Sequence, residues 1–319
     1  MTYINQLETL CQQCGCKMET EVSLAEHTTF RVGGPCRALV HVNSARTAQT
    51  LVQFLRREEI PFVVLGRGSN VIVPDEGFDG VVLLFGHAFA RITRQKNQFV
   101  CQGGASLLAI CTAALDAGLT GLEFAYGIPG TVGGVLYMNA GAYGGELYHV
   151  AVSAEYLDRN GNPMQMDAAD MQLAYRHSCF MEKGAIITSV TLQLQPGDPE
   201  QIRSVMEATM EKRREKQPLE YPSAGSAFKR PQGDYASRLI EVCGLKGLSV
   251  GGAEVSRKHS GFIINKGGDT CADILALADK VQQVVREQLG HEIGPRHTHQ
   301  HDGQNVMQER KLAAAVSAE

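Results

Sequence analysis

Between Glu123 and Glu146 the chain reads EFAYGIPGTVGGVLYMNAGAYGGE, with seven glycines and one proline in a single short stretch. Glycine at this density adds nothing to packing and loses the most conformational freedom on folding. A fold accepts that loss where the backbone must turn sharply or come within contact distance of a ligand. Gly127-Ile128-Pro129-Gly130 and Gly133-Gly134 therefore read as loop that lays backbone N–H groups against a phosphate or a flat ring. The alternative is a cluster of glycine hairpins with no ligand, although loops of this kind commonly carry function.

A chain of 319 residues is too long for one small core and implies two or three domains. Hydrophobic residues at 44% and charged residues at 20% are those of a globular protein. A net charge of −4 argues against a general nucleic-acid surface but leaves room for a local basic pocket. No apolar run approaches the ~18 residues that read as a membrane span. The first residues also lack the apolar centre of a signal peptide. The expectation is a cytoplasmic protein with no membrane insertion. The nine cysteines are irregularly spread and read as reduced thiols. Cys11, Cys14 and Cys16 cluster without a second paired motif, so no metal site is expected there. The His297-x-His299-x-His301 run on a polar end is likewise taken as incidental.

Helical spacing over residues 1–20 is followed by a polar, extended segment from Glu21 to Phe30. Strands are expected at 38–42, 61–65, 71–73, 81–84, 90–93 and 98–101. Ser44 is expected to cap a helix, and Gly103-Gly104 turns into a second helix running from Ser106 and ending at Gly118. Further strands fall near 151–157 and 186–194, with Asp158-Arg159-Asn160-Gly161 as a hairpin turn. Pro196-Gly197 marks a domain boundary. Beyond it come a charged helix over 199–217, helices over 234–245 and 270–289, and a strand over 261–265. The domains are thus 1–29 as a helix and extended lead-in, 30–197, 198–295, and an atypical tail over 296–319 expected to be disordered.

A second glycine turn, Gly66-Arg67-Gly68-Ser69-Asn70, joins two strands. A dinucleotide fingerprint would need a third glycine and a following helix, and a Walker loop would need Gly-Lys-Ser or Gly-Lys-Thr. Neither is present. The consecutive N–H groups, the Ser69 hydroxyl and the Asn70 amide still suit a pyrophosphate.

Four blocks occurring in this order closely resemble the bacterial UDP-N-acetylenolpyruvoylglucosamine reductase family, in its shorter type II form. They are Leu65–Asn70, Tyr126–Gly134 with Asn139-Ala140-Gly141, Tyr175–Phe180, and Ala224–Pro231. The resemblance covers about residues 20–293. It implies an α+β fold: a PCMH-type FAD-binding domain of two α+β subdomains, followed by a C-terminal α+β substrate-binding domain. It implies non-covalent FAD lined by Gly66, Gly68, Ser69, Asn70, Gly127, Ile128, Pro129, Gly130, Gly133, Gly134, Asn139 and Gly141, with NADPH as co-substrate. The implied reaction reduces the enolpyruvyl group of UDP-N-acetylglucosamine enolpyruvate in peptidoglycan precursor synthesis.

Hydride addition to the β-carbon of an enol ether builds negative charge at the α-carbon and in its carboxylate. The chemistry needs a cation at that carboxylate, an acid beside it and a proton donor. Arg176 suits the first as a two-pronged, permanently charged group. Ser226 takes the proton-donor role by resemblance, and Tyr175, Lys216 and Lys229 are candidate substrate contacts. One position departs from the family. A glutamate is expected after Pro295, where this chain has Arg296, and Glu292 lies nearby as a possible replacement. The alternatives are a flavin-binding homologue with impaired catalysis and an FAD-dependent oxidase of the same fold.

Overall fold

The first helix, Tyr3–Cys14, is shorter than the expected span. Gly15 stops it at φ +66°, a left-handed residue of the kind that closes helices. Lys17–Ser23 then runs as a strand, and Leu24–His27 forms a 3-10 turn inside the segment expected to be extended. The computed structural model describes residues 3–295, together with the backbone of 298–301 and 304–306.

Three packed units follow. In the first, four strands lie in the order Lys17–Ser23, Pro35–His41, Phe78–Leu84, Phe62–Leu65, the first pair antiparallel and the other two parallel. The helix Ala45–Arg57 covers them, and its Ser44 cap accepts the Thr47 N–H at 3.1 Å. Leu51, Val52 and Leu55 of that helix share a core with Val40, Val81 and Leu83. Parallel pairing needs such a crossover connection, which explains why this helix separates two strands that end up near one another.

The second unit is a five-stranded antiparallel sheet. Its order is Pro163–Asp167, Ala151–Leu157, Ile186–Gln193, Gln98–Gln102, Ile92–Gln95. Gly161, at φ +82°, completes the hairpin between the first two. The helix Leu107–Asp116, capped by Ser106, buries Leu107 and Ile110 with Val190 and Leu192. The helix Pro199–Lys216 lies past the expected boundary at Pro196–Gly197, yet its Ile202 and Met206 belong to this second core. Proline punctuates the chain locally there without moving the helix to a new core.

Residues Ser249–Val250, Ala253–Val255 and Ile263–Asn265 form the small antiparallel sheet of the third unit. Helices Ala236–Val242 and Cys271–Leu289 pack on it through Leu239, Ile240, Leu277, Val281 and Val285. Phe30, Val32 and Ile72 join the same core from far upstream. Asp75 reaches across to accept the Cys271 and Ala272 N–H groups at 2.7 and 3.0 Å, capping the last long helix from outside.

Two expectations are corrected. Gly133-Gly134 is not loop: both residues lie in the helix Val132–Tyr137. Val132, Val135 and Leu136 at helical spacing are buried in the second core, and this packing outweighs the helix-breaking tendency of two glycines. The segment from residue 296 was expected to be disordered throughout. Thr298–His301 instead pairs parallel with Val71–Ile72 and antiparallel with Gln304–Val306. Main-chain pairing to a strand edge makes no demand for apolar side chains. Arg296, His297 and the rest of the tail lie outside the described residues.

Candidate active site

A cleft of about 940 Å³ opens where the three units meet. Its walls are the turn 66–70, the stretch 127–146, the Tyr175–Arg176 turn, the end of the helix Pro199–Lys216, and the segment around Ser226. All of the residues expected to bind cofactor or substrate or to act in the reaction line it except Lys229. The Lys229 N–H donates to Gly294 O at 2.8 Å, and its side chain is not part of the cleft wall.

The two glycine turns lie against each other. A Cβ on Gly66 would stand 2.2 Å from Thr131 Oγ1, and one on Gly68 would stand 2.1 Å from the His27 carbonyl oxygen. Ser69 Oγ donates to Pro129 O at 2.7 Å. That hydroxyl therefore fastens one turn to the other, and its proton is not offered to a phosphate as the sequence suggested. The backbone remains available: among the described residues, no group accepts the N–H of Arg67, Gly68 or Ser69. Gly133 lines the cleft as expected, but its N–H is already spent. Its N–H donates to Gly103 O at 3.0 Å, and an added Cβ would meet Gly103 O at 3.1 Å and Ile187 O at 3.3 Å. Its lack of a side chain lets the short helix sit on the second sheet.

Arg176 occupies the tip of a turn closed by reciprocal bonds between Ala174 and His177, both 3.1 Å. Its φ is +55°. Burial draws its pKa down, with Tyr175 and Glu146 opposing; a guanidinium keeps its charge under such conditions. Tyr175 is 45% exposed. Its hydroxyl oxygen accepts the Arg230 N–H at 3.3 Å, and the Arg230 guanidinium lies 5.6 Å from its ring and 4.5 Å from that of Tyr235. Ser226 stands opposite on the third unit. It bridges to Phe262, and the next residue, Ala227, donates to Gly261 O at 2.8 Å. Gly225 before it has φ +77°, with open space where a Cβ would be. Among the described residues the Ser226 hydroxyl has no hydrogen-bond partner.

Sequence reading missed Arg213, Arg230 and Glu146 as lining residues. Arg213 is 6% exposed, and among the described residues its buried Nε has no acceptor; burial draws its pKa down, with Tyr143 opposing. The signal for it was present, because Arg213 lies three residues before Lys216 and shares its helix face. Arg230 carried no local signal. Arg67, Arg176, Arg213, Lys216 and Arg230 face the cleft, and Glu146 is its only carboxylate among the described residues.

Residues 217–296 match the model of the UDP-N-acetylenolpyruvoylglucosamine reductase C-terminal domain, and residues 36–167 match that of an FAD binding domain. A reductase of this name from Caldanaerobacter subterraneus subsp. tengcongensis is 44% identical over 88% of this chain and 92% of its own length. One from Clostridium novyi is 43% identical over 87% of this chain and 90% of its own. The chain belongs to the UDP-N-acetylenolpyruvoylglucosamine reductase family. The crystal structure of the Thermus caldophilus reductase superposes with a TM-score of 0.76 at 35% identity, covering 89% of this chain and 99% of that one.

As a member of the family the chain is an FAD-binding oxidoreductase of PCMH-type fold. The cleft fits that cofactor on its own chemistry. Among the described residues, the unaccepted N–H groups of Arg67, Gly68 and Ser69, the unpaired buried Arg213 Nε and the excess of cations form a donor set for a pyrophosphate. Glu292 does not replace the acid expected after Pro295. It is 72% exposed and pairs with Arg286 at 2.7 Å, and it does not line the cleft. The chain just before Arg296 nevertheless runs beside the site, since Pro295 bridges to Phe228, a cleft residue.

Proposed function

We propose that this reductase uses NADPH to reduce the enolpyruvyl group of UDP-N-acetylglucosamine enolpyruvate to UDP-N-acetylmuramate, in the cytoplasm, as a step of peptidoglycan precursor synthesis. One observation carries the reading: Arg176 from the second unit and the unpartnered Ser226 hydroxyl from the third converge on the cleft that the glycine turns line. FAD, when bound, carries the reducing equivalents between nicotinamide and the double bond.

The chain's own residues then divide the work. Arg67, the amides of 67–69 and Arg213 hold the cofactor's pyrophosphate. Arg176 takes the substrate carboxylate through two parallel bonds and stabilises the charge that builds there as the β-carbon is reduced. Ser226 Oγ–H delivers a proton to the α-carbon. Serine is a weak acid, so this works only against a strongly basic carbon held in place. Lys216 and Arg230, both at the cleft wall, suit the diphosphate of the sugar nucleotide. Tyr175 contributes a ring and a hydroxyl at the same mouth.

Anaerobic NADPH oxidation by the purified yellow protein, with and without the enolpyruvyl sugar nucleotide, tests the reading. Substrate-dependent oxidation supports it, and oxygen uptake with another substrate points to an oxidase. Arg296 after Pro295 favours a second reading, a flavin-binding member with slow catalysis. In that case flavin is bound, turnover is low, and Arg296→Glu raises it.

A further inference from the structure

Asn139 was expected to contact FAD, and the residue does line the cleft. Its hydrogen bonds describe a different task. It is 2% exposed and sits at φ +38°, directly after the helix Val132–Tyr137 and Met138. Its Nδ2 donates to Glu146 Oε2 at 2.8 Å and to Ala174 O at 3.0 Å. Its Oδ1 accepts the Tyr148 N–H at 3.1 Å. Only this orientation of the amide satisfies all three neighbours, since two are acceptors and one is a donor. Both N–H groups are thus consumed within the protein.

The three bonds join three segments. Glu146 and Tyr148 close the end of the glycine-rich stretch, and Ala174 is the first residue of the turn that carries Tyr175 and Arg176. The Ala174 carbonyl also accepts the His177 N–H that closes that turn. A second tie lies beside it, where Ser178 Oγ donates to Tyr137 O at 2.7 Å. The arginine turn is therefore held at both ends against the C-terminus of one short helix. The N-terminal half of that helix, with Gly133 and Gly134, lines the cofactor side of the cleft.

We propose that Asn139 is a positioning residue for Arg176: it sets the arginine turn relative to the cofactor-lining helix, and it does not bind the flavin. This rests on the reductase reading given above. Glu146 belongs to the same device, because its carboxylate is fixed by Asn139 on the side of the cleft where Arg176 lies. The expected consequence is selective. Loss of the Asn139 donors should free the turn and weaken the grip on the enolpyruvyl carboxylate while leaving the flavin in place.

The test uses the full chain with its flavin. Two quantities are read for Asn139→Asp, which keeps the acceptor for Tyr148 and removes both donors: the flavin-to-protein ratio, and the Kd of UDP-N-acetylglucosamine enolpyruvate from its perturbation of flavin absorbance. The flavin ratio should stay within about twofold of the wild type while substrate binding weakens by about tenfold or more, the scale of a lost charge-assisted contact. KM should rise accordingly. The double variant Asn139→Asp/Glu146→Gln restores a donor to an acceptor across the pair and should recover part of the loss. Should Asn139→Asp fail to fold, Asn139→Gly, which suits the positive φ, carries the same expectation. A folded variant that loses flavin, or one whose substrate affinity is unchanged, overturns the proposal alone. A wild-type protein whose flavin does not respond to the substrate overturns the reductase reading and the proposal with it.

Discussion

Single residues divide into those whose role is written in their type and those whose role depends on a neighbour. Gly68 is of the first kind. It combines φ +62° with a phantom Cβ 2.1 Å from a backbone oxygen, and neither can relax cheaply. Gly68→Ala should lose about 1–2 kcal/mol from the left-handed backbone alone, with more from the clash, and should lower flavin retention; denaturant unfolding and the flavin-to-protein ratio check it. Ser226 is of the second kind. An Ala-Gly-Ser run is an ordinary turn until backbone pairing of Ser226 with Phe262 and of Ala227 with Gly261 fixes it at the cleft. Ser226→Ala should keep flavin and substrate binding and slow product formation by about 10²–10⁴-fold, the usual worth of a positioned proton donor; single-turnover kinetics read the outcome. Ser69 and Asn139 show why residue type misleads. Both look like ligands for an anion, and both spend their donors on other parts of the chain.

At the scale of elements, the Ser44 cap and the helix starts at Ser106 and residue 270 were legible because a cap and its helix are adjacent in sequence. Ser44, Ser106 and Thr270 all accept from the first turn that follows them. The cap supplied by Asp75 was not legible, since it acts on a helix 196 residues away. Asp75→Ala should cost about 1 kcal/mol, within the ~0.5–2 kcal/mol range of lost N-caps. It should also speed hydrogen exchange at Cys271 and Ala272 ahead of the rest of that helix. The helix Val132–Tyr137 was hidden for a related reason: its two glycines argue against it locally, and only the close approach of Gly133 to Gly103 and Ile187 makes a missing side chain useful there.

For the molecule as a whole, one buried carboxyl beside Asp75 and Asp273 adds a pH dependence to stability. Among the described residues, no other residue hydrogen-bonds either buried carboxylate oxygen of Asp269. Burial first, with Asp273 and Asp75 adding to it, pushes its pKa from 3.8 up to about 6. A raised carboxyl pKa means that the folded state binds the proton more tightly than the unfolded chain. The stability it contributes is fully present below the unfolded value and is lost as pH rises through about 6. Asp269→Asn should therefore raise the thermal midpoint near neutral pH and above, and the gain should vanish towards about pH 4. A gain independent of pH would show that Asp269 titrates normally.

The sequence by itself determined the class of the cofactor site. Glycine spacing, the absence of a dinucleotide fingerprint and four ordered blocks depend on residues close together in the chain, and their backbone demands are local. It also placed Arg176 and Ser226 in view. Tertiary structure alone decided which donors remain for ligands. That question turns on partners brought from distant segments: Pro129 for Ser69, Ala174 for Asn139, and the second core for the helix that presents Arg213 and Lys216. A hydrogen-bond donor can be named from one residue, but whether it is already spent depends on packing that no short window contains.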